Sequence, residues 1–206
     1  MKENAMTQVG DEVLLWRRFI GGDRIAFQEI IVSHYRILHN YGTRFCRDSD
    51  FIEDVIQDLF VYLWERKQDL TDTPPSLRNY LLKAFRNRIV FELKQHQRYT
   101  DLSESDEEMM LLFEPSVQET LLRTESEGEI ASQLSLMLAQ LPERQREALY
   151  LKYYEDCDIQ QISEIMGITR QSVSNHLQKA MTYLRGHWQK SMVSPLYLFF
   201  FSALLG

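Results

Sequence analysis

Residues 159–184 contain the pattern that most restricts the fold: two apolar runs at helical spacing, separated by one glycine. The apolar residues fall on one face of each predicted helix: Ile159, Ile162 and Ile165 in the first, and Val173, Leu177, Ala180, Met181 and Leu184 in the second. Gly167 suits the turn between them, and Thr169 suits the N-cap of the second helix. Upstream, residues 131–150 predict two further helices separated at Leu141-Pro142. The sequence therefore predicts a helix-turn-helix.

The side of the second helix that faces away from its apolar residues carries side chains suited to DNA. They are Arg170, Gln171, Ser174, Asn175, Gln178 and Lys179. Arginine, asparagine and glutamine side chains can bond base edges in the major groove, whereas serine and lysine suit phosphates. We interpret this helix as a DNA reader; a helical hairpin without a role in DNA binding is the alternative.

Residues 48–67 predict a helix with one apolar face. This face consists of Ile52, Val55, Ile56, Leu59, Phe60 and Leu63. The remaining positions are mostly polar, including Asp54, Gln57, Asp58 and Glu65, yet they also include Val61 and Tyr62. A face that only meets solvent does not need such apolar side chains, which favours a face that binds a partner. An ordinary solvated face is the alternative.

Residues 76–98 predict a strongly basic helix that follows the helix-breaking Pro74-Pro75. The helix has six basic residues and one acidic residue, a net charge of +5. Its basic side chains alternate with Asn79, Tyr80 and Asn87, a mixture that suits a phosphate backbone and unstacked bases. A charged, solvent-facing helix is the alternative interpretation.

The charge distribution divides the chain. The whole sequence has a formal charge of -7, and residues 98–130 alone have ten acidic and two basic residues, a net charge of -8. We predict an all-α protein with two small helical domains, an N-terminal domain at 11–98 and a C-terminal domain at 131–188, joined by an acidic linker at 99–130. A C-terminal tail at 189–206 follows the second domain.

Between positions 195 and 205 the tail contains nine apolar residues and no charge. This segment is too short to span a bilayer. We expect it to cover a partner or to pack on the body of the protein; contact with a membrane surface is the alternative.

Several classes of protein lack support in this sequence. The five histidines are scattered, the cysteines at 46 and 157 form no ligand or disulfide pattern, and no Gly-rich phosphate loop or nucleophile elbow occurs. We therefore predict no enzyme activity, no cofactor, no metal and no small-molecule substrate. The first residues contain no apolar signal core, so we expect a cytoplasmic protein.

Both predicted domains resemble the extracytoplasmic-function (ECF) sigma factors of bacterial RNA polymerase, in the sigma-70 family. Region 2 of that family is similar to "FQEIIVSHYRILHNYGTRFCRDSDFIEDVIQDLFVYLWERK" followed by "LRNYLLKAFRNRIVFELKQHQR". Region 4 is similar to "LPERQREALYLKYYEDCDIQQISEIMGITRQSVSNHLQKAMTYLR". The two motif sets occur in the family's order, which makes the resemblance specific.

The resemblance implies three sets of site residues. Core polymerase would bind Asp54, Gln57, Asp58, Phe60 and Trp64. The minus-10 promoter element would bind Arg78, Asn79, Tyr80, Lys83, Arg86, Asn87 and Arg88. The minus-35 element would bind Thr169, Arg170, Gln171, Ser174, Asn175, Gln178 and Lys179.

The resemblance also implies partners and a function. It implies a sigma factor that binds core RNA polymerase, directs it to promoter DNA and helps to open the minus-10 region. An anti-sigma factor is a further expected partner, and through it the chain could contact a membrane. The alternative is a helix-turn-helix transcriptional regulator that acts independently of the polymerase core, which would need a receiver or ligand-binding domain.

Overall fold

The computed structural model of the chain describes residues 2–70, 74–100 and 133–191. Its helices are α1 (Lys2–Ile20), α2 (Arg24–Gly42), α3 (Ser49–Glu65), α4 (Leu77–Thr100), α5 (133–139), α6 (Glu143–Leu149), α7 (Ile159–Met166) and α8 (Arg170–Ser191). A 3-10 turn, Lys67–Asp69, follows α3, and α6 continues into a π-helical turn at Tyr150–Tyr154. These described parts of the chain contain no β-strand, and the predicted all-α fold is confirmed.

Helices α1 to α4 form the N-terminal domain, and local capping sets where they begin. The carboxylate of Asp23 accepts hydrogen bonds from the backbone N–H groups of Ile25 and Ala26, at 2.8 and 3.2 Å, at the start of α2. At the start of α4, the hydroxyl of Ser76 accepts from the N–H of Asn79 at 3.3 Å. The core of this domain has large side chains with at most 2% exposure: Trp16, Phe19, Ile30, Leu38, Tyr41, Phe45, Ile52, Ile56, Leu63, Leu77, Leu81 and Phe85.

Helices α5 to α8 form the C-terminal domain, in which the predicted helix-turn-helix is present. Asp158 and Gln161 form a reciprocal cap at the start of α7. Each side-chain oxygen accepts a hydrogen bond from the backbone N–H of the other residue, with a nitrogen–oxygen distance of 2.8 Å in both cases. Gly167 ends α7 in the left-handed conformation, with φ of 65°, which favours glycine. The hydroxyl of Thr169 then accepts from the N–H of Ser172 at 3.1 Å, at the start of α8.

The two domains pack against each other, a feature that the sequence did not predict. Helix α4 of the N-terminal domain lies on α7 of the C-terminal domain. One continuous cluster of buried apolar side chains includes residues of both domains, among them Phe85 and Ile89 from α4 and Ile162 and Ile165 from α7. The basic helix is therefore partly covered by the helix-turn-helix domain.

The predicted domain boundaries differ slightly from the helices. Helix α1 begins at Lys2, before the predicted start at 11, and α4 ends at Thr100, two residues past the predicted end of the first domain at 98. The rest of the linker and the apolar tail at 195–205 lie outside the described residues. Among the helices that the structure does describe, none has the length and apolarity needed to cross a bilayer.

Candidate nucleic-acid and partner interfaces

The polar face of α3 is exposed, as its sequence predicted. Asp54, Gln57 and Asp58 are all exposed on this helix. Val61 and Tyr62 lie further along the same helix and are 55% and 46% exposed. We call these five residues the α3 face. It combines carboxylates with uncovered apolar area, which suits a protein partner with basic and apolar groups.

Two other residues assigned to this interface are packed into the domain. Phe60 is 4% exposed, and its ring meets Phe27 edge-on with centroids 6.1 Å apart. Phe60 belongs to the apolar stripe that faces the core, so it supports the α3 face from below. Trp64 is half-buried, with its ring 5.0 Å from Phe27 and the ammonium of Lys67 4.2 Å from its centroid.

The residues assigned to minus-10 DNA lie on different sides of α4. Lys83 and Asn87 are exposed and available to a ligand. The guanidinium of Arg88 donates to the carboxylate of Asp58 at 2.8 Å, so a DNA-binding candidate pairs with a member of the α3 face. Tyr80 is half-buried and packs edge-on against Trp16, with ring centroids 5.3 Å apart. Asn79 is also half-buried at the start of the helix.

Arg78 and Arg86 lie on the side of α4 that faces the C-terminal domain. Arg86 pairs with Glu147 of α6, and Arg78 pairs with Glu155, which follows the π-helical turn. We call these contacts the interdomain ion pairs. Both carboxylates are buried, with Glu147 1% and Glu155 7% exposed. Of the seven residues assigned to minus-10 DNA, two are therefore covered by the chain itself.

The residues assigned to minus-35 DNA are together on the N-terminal part of α8. Thr169, Arg170, Gln171, Asn175, Gln178 and Lys179 are exposed, and Ser174 is half-buried. The amide of Gln171 donates to the side-chain oxygen of Asn175 at 3.0 Å, which aligns two base-reading candidates one helical turn apart. The side chain of Thr169 caps the helix, so it holds the start of α8 in place.

Sequence reasoning missed Tyr41, Glu147, Tyr150 and Glu155, which complete the interdomain contact. The hydroxyl of Tyr41 donates to Glu147 at 2.5 Å, and the hydroxyl of Tyr150 donates to Glu155 at 2.8 Å. One local signal existed: Glu147 is a lone carboxylate at a position where the pattern of "REALYL" requires a buried side chain. Such a carboxylate needs a buried partner. The partner, Arg86, lies 61 positions away in the sequence, so no local pattern points to it.

Comparison with known families assigns both domains. The model for sigma-70 region 2 matches residues 30–99, and the model for sigma-70 region 4 matches residues 127–184. Together the two matches cover more than half of the chain, in the order that the resemblance predicted. The chain belongs to the sigma-70 family. The region 2 match includes helix α4 as far as residue 99, and the region 4 match includes α7, the turn and α8 as far as residue 184.

Curated relatives agree with this membership. The sigma factor is 22% identical over 170 residues to "ECF RNA polymerase sigma factor SigM" of Bacillus subtilis, a match that covers 82% of this chain and 98% of the relative. It is 27% identical over 168 residues to "Probable RNA polymerase sigma factor RfaY" of Xanthomonas campestris pv. campestris, covering 80% of this chain and 40% of that protein. The predicted ECF group is confirmed.

Two solved structures share the fold of this sigma factor. One is the structure of CnrH in complex with the cytosolic domain of CnrY, with a TM-score of 0.58 and 16% identity, covering 87% of this chain and 98% of that one. The other is the sigma factor RpoE in complex with the anti-sigma factor NepR from Bartonella quintana, with a TM-score of 0.54 and 14% identity, covering 81% and 98%.

Family membership gives the general function. This sigma factor acts in transcription initiation, where it directs RNA polymerase to promoters and binds DNA. A regulator that acts independently of the polymerase core is not favoured, because the N-terminal domain matches sigma region 2 and not a receiver or ligand-binding domain.

Proposed function

We propose that core RNA polymerase binds the α3 face, with Asp54, Gln57 and Asp58 as its charged contacts. These side chains are exposed on one helix of the matched region 2, and Val61 and Tyr62 add apolar area beside them. Trp64 supports the end of the same helix from a half-buried position. The combination of three polar groups and two exposed apolar groups on one rigid helix supports this assignment.

Helix α4 and helix α8 are the proposed DNA interfaces. On α4, Lys83, Asn87 and Arg88 would contact the unpaired minus-10 strand, with Asn79 and Tyr80 near the start of the helix. Opening of the duplex is favoured when a protein binds the unpaired strand more tightly than the paired one. On α8, the exposed row at Arg170, Gln171, Asn175 and Gln178 would read the minus-35 element, and Ser174 and Lys179 would bind phosphates.

An anti-sigma factor is a proposed further partner, and no catalytic step is assigned to this chain. The proposal of an anti-sigma partner is supported by the fold shared with CnrH, solved with CnrY, and with RpoE, solved with NepR. We place the activity in the cytoplasm, where bacterial polymerase and DNA are found. The observation that carries the whole function is the presence of regions 2 and 4 in order on one chain.

Transcription in vitro tests the function directly. Purified core polymerase is supplied with a library of promoter fragments, with and without this sigma factor. We expect promoter-specific transcripts only when the chain is present. If the chain binds a specific duplex tightly by itself and core polymerase produces no additional transcripts, the function is wrong.

The proposed polymerase contacts are tested by Asp54→Ala combined with Gln57→Ala. Core binding, measured by fluorescence anisotropy of the labelled sigma factor, should weaken because two contacts are lost, while the helical circular dichroism stays the same. The matched control is Gln28→Ala with Glu29→Ala, which removes an amide and a carboxylate from the exposed side of α2. Equal binding by the two double variants would contradict the assignment of the α3 face.

A further inference from the structure

An aromatic side chain lies uncovered on the basic helix α4. Phe91 is 55% exposed, whereas Phe19, Phe45, Phe60 and Phe85 of the same domain are at most 4% exposed. The packing of α4 against α2, α3 and α7 leaves this ring in solvent. Single exposed apolar side chains are common on protein surfaces, so the neighbours of Phe91 decide what its ring can do.

The neighbours of Phe91 along the exposed side of α4 are cationic and polar. Lys83, Asn87 and Lys94 are exposed, and steps of three and four residues place them with Phe91 along one side of the helix. We call these four residues the α4 row. The row extends for about 16 Å, the length of about five stacked nucleotides of one strand.

The carboxylate next to Phe91 in the sequence faces an arginine. An oxygen of Glu92 lies 3.6 Å from Nη2 of Arg88, which also donates to the carboxylate of Asp58 at 2.8 Å. Neither carboxylate belongs to the α4 row, whose two formal charges are both positive. The row therefore attracts a phosphate backbone, and a strand held by both lysines has to pass the ring between them.

The chemistry of a phenyl ring distinguishes between paired and unpaired DNA. The ring has no hydrogen-bond donor or acceptor, so the only base-edge contact that it can make in a duplex groove is with a thymine methyl group. The faces of paired bases are stacked on their neighbours within a duplex. In an unpaired strand these faces are open, and an aromatic side chain can stack on bases of any type. Phe91 therefore suits an unpaired strand better than a duplex.

We propose that Phe91 is a base-stacking residue of the sigma factor, with its ring on a base of the unpaired minus-10 strand while Lys83 and Lys94 hold phosphates on either side. The base becomes accessible only after its pair has opened, so the ring adds affinity for the open form and shifts the equilibrium towards it. This role rests on the proposed function of α4 as a DNA interface. It adds to that interface a residue that binds a base without a charge.

Single-strand binding by the free, full-length chain tests this role, because the α4 row is exposed in it. Phe91→Leu is compared with wild type for binding of fluorescein-labelled dT12 by anisotropy between 50 and 300 mM salt. Loss of the ring should lower the affinity about tenfold at each salt concentration. The slope of log affinity against log salt should stay the same, because stacking releases no counterions, whereas Lys83→Gln should reduce this slope by about 0.7.

Two further variants show whether the aromatic ring is the cause. Phe91→Trp keeps a stacking ring, so it should restore the affinity for dT12, and dT12 should quench the fluorescence of the added indole. Ile25→Ala is the control, since it truncates an apolar side chain that is 64% exposed on α2, and it should bind dT12 as wild type does. The duplex of dT12 with dA12 should bind wild type and Phe91→Leu equally.

Wild-type affinity for dT12 in Phe91→Leu would overturn this role. An equal loss of affinity for dT12 and for the duplex would also overturn it and would place the ring against thymine methyl groups. Weaker binding to core polymerase with unchanged binding of dT12 would overturn it in favour of a protein contact.

Lys83→Gln separates this role from the proposed function of α4. A lower salt slope in Lys83→Gln together with unchanged affinity in Phe91→Leu means that α4 binds DNA and that only the stacking is wrong. No change in either variant contradicts the assignment of α4 to DNA as well.

Discussion

At the residue scale, the buried carboxylate of Glu147 shows how a charged group is accommodated inside this molecule. Burial of an isolated carboxylate is strongly unfavourable, but here both oxygens accept hydrogen bonds from Arg86 and one also accepts from Tyr41. Burial and the neighbouring charge of Glu147 raise the pKa of Tyr41 well above its usual value, so the phenol remains a donor. Removal of any one partner would leave the others incompletely paired.

Gly42 provides a prediction at the same scale, since it lies where α2 approaches α3 and α4. A β-carbon placed on Gly42 would lie 2.5 Å from Cγ2 of Ile52 and 3.1 Å from the ring of Phe85. Gly42→Ala should therefore lower the free energy of unfolding by about 1 to 3 kcal/mol through overpacking, measured by urea denaturation.

Gly186 is the matched control for that substitution. A β-carbon on Gly186, in α8, would meet nothing within 4 Å. Gly186→Ala should raise stability by about 0.5 to 1 kcal/mol, because alanine favours the helix. If Gly186→Ala lowers the free energy of unfolding as much as Gly42→Ala does, overpacking against Ile52 is not the cause of the destabilisation at Gly42.

At the element scale, α7 is short and depends on its ends. It spans only Ile159–Met166, a length at which an isolated helix is marginal. Its N-terminus has the reciprocal cap of Asp158 and Gln161, and its C-terminus has the left-handed Gly167. Helix α7 contacts both α8 and α4. The two caps therefore stabilise the helix-turn-helix and also the surface of the C-terminal domain that packs on α4.

The cap of α7 gives the prediction at this scale. Asp158→Ala should destabilise the folded C-terminal domain by about 1 kcal/mol, because the N–H of Gln161 loses its acceptor. Amide hydrogen exchange in α7 would report the loss as faster exchange. Asp158→Ser retains a capping oxygen and should recover most of the protection; equal exchange in the two variants would contradict the role of the cap.

At the scale of the whole molecule, two domains recognisable as separate families share one core. The apolar cluster that includes Phe85 of region 2 also includes Ile162 and Ile165 of region 4. The interdomain ion pairs lie beside this cluster, so separation of the domains exposes apolar area and frees charged groups together. The free sigma factor should consequently unfold as one unit.

Fluorine NMR of 5-fluorotryptophan can test this prediction in urea. Trp16 and Trp64 report on the N-terminal domain, and Trp188 reports on the C-terminal domain, so the chain's three tryptophans sample both domains. In wild type, all three folded signals should disappear at one urea concentration. In Glu147→Gln with Glu155→Gln, the Trp188 signal should disappear first; separate midpoints in wild type would show that the domains are not coupled.

The sequence by itself determined the helices, their caps and the family. Periodicity located the apolar faces, and the turn at Gly167 and the N-cap at Thr169 were predicted correctly because capping and turns depend on residues only a few positions apart. The exposure of the base-reading side of α8 followed from the same periodicity. Phe60, which the resemblance places at the partner interface, is 4% exposed, since the residue belongs to the core stripe.

Only the tertiary structure decided which basic residues of α4 are free. The charge pattern along the helix does not distinguish Lys83 from Arg78 and Arg86, yet of these three only Lys83 is exposed. The two arginines pair with residues of the other domain that lie 77 and 61 positions away in the sequence. Such pairings depend on how whole domains pack, and no local pattern specifies that packing. The same long-range contacts turn two tethered domains into one packed molecule with part of its promoter surface covered.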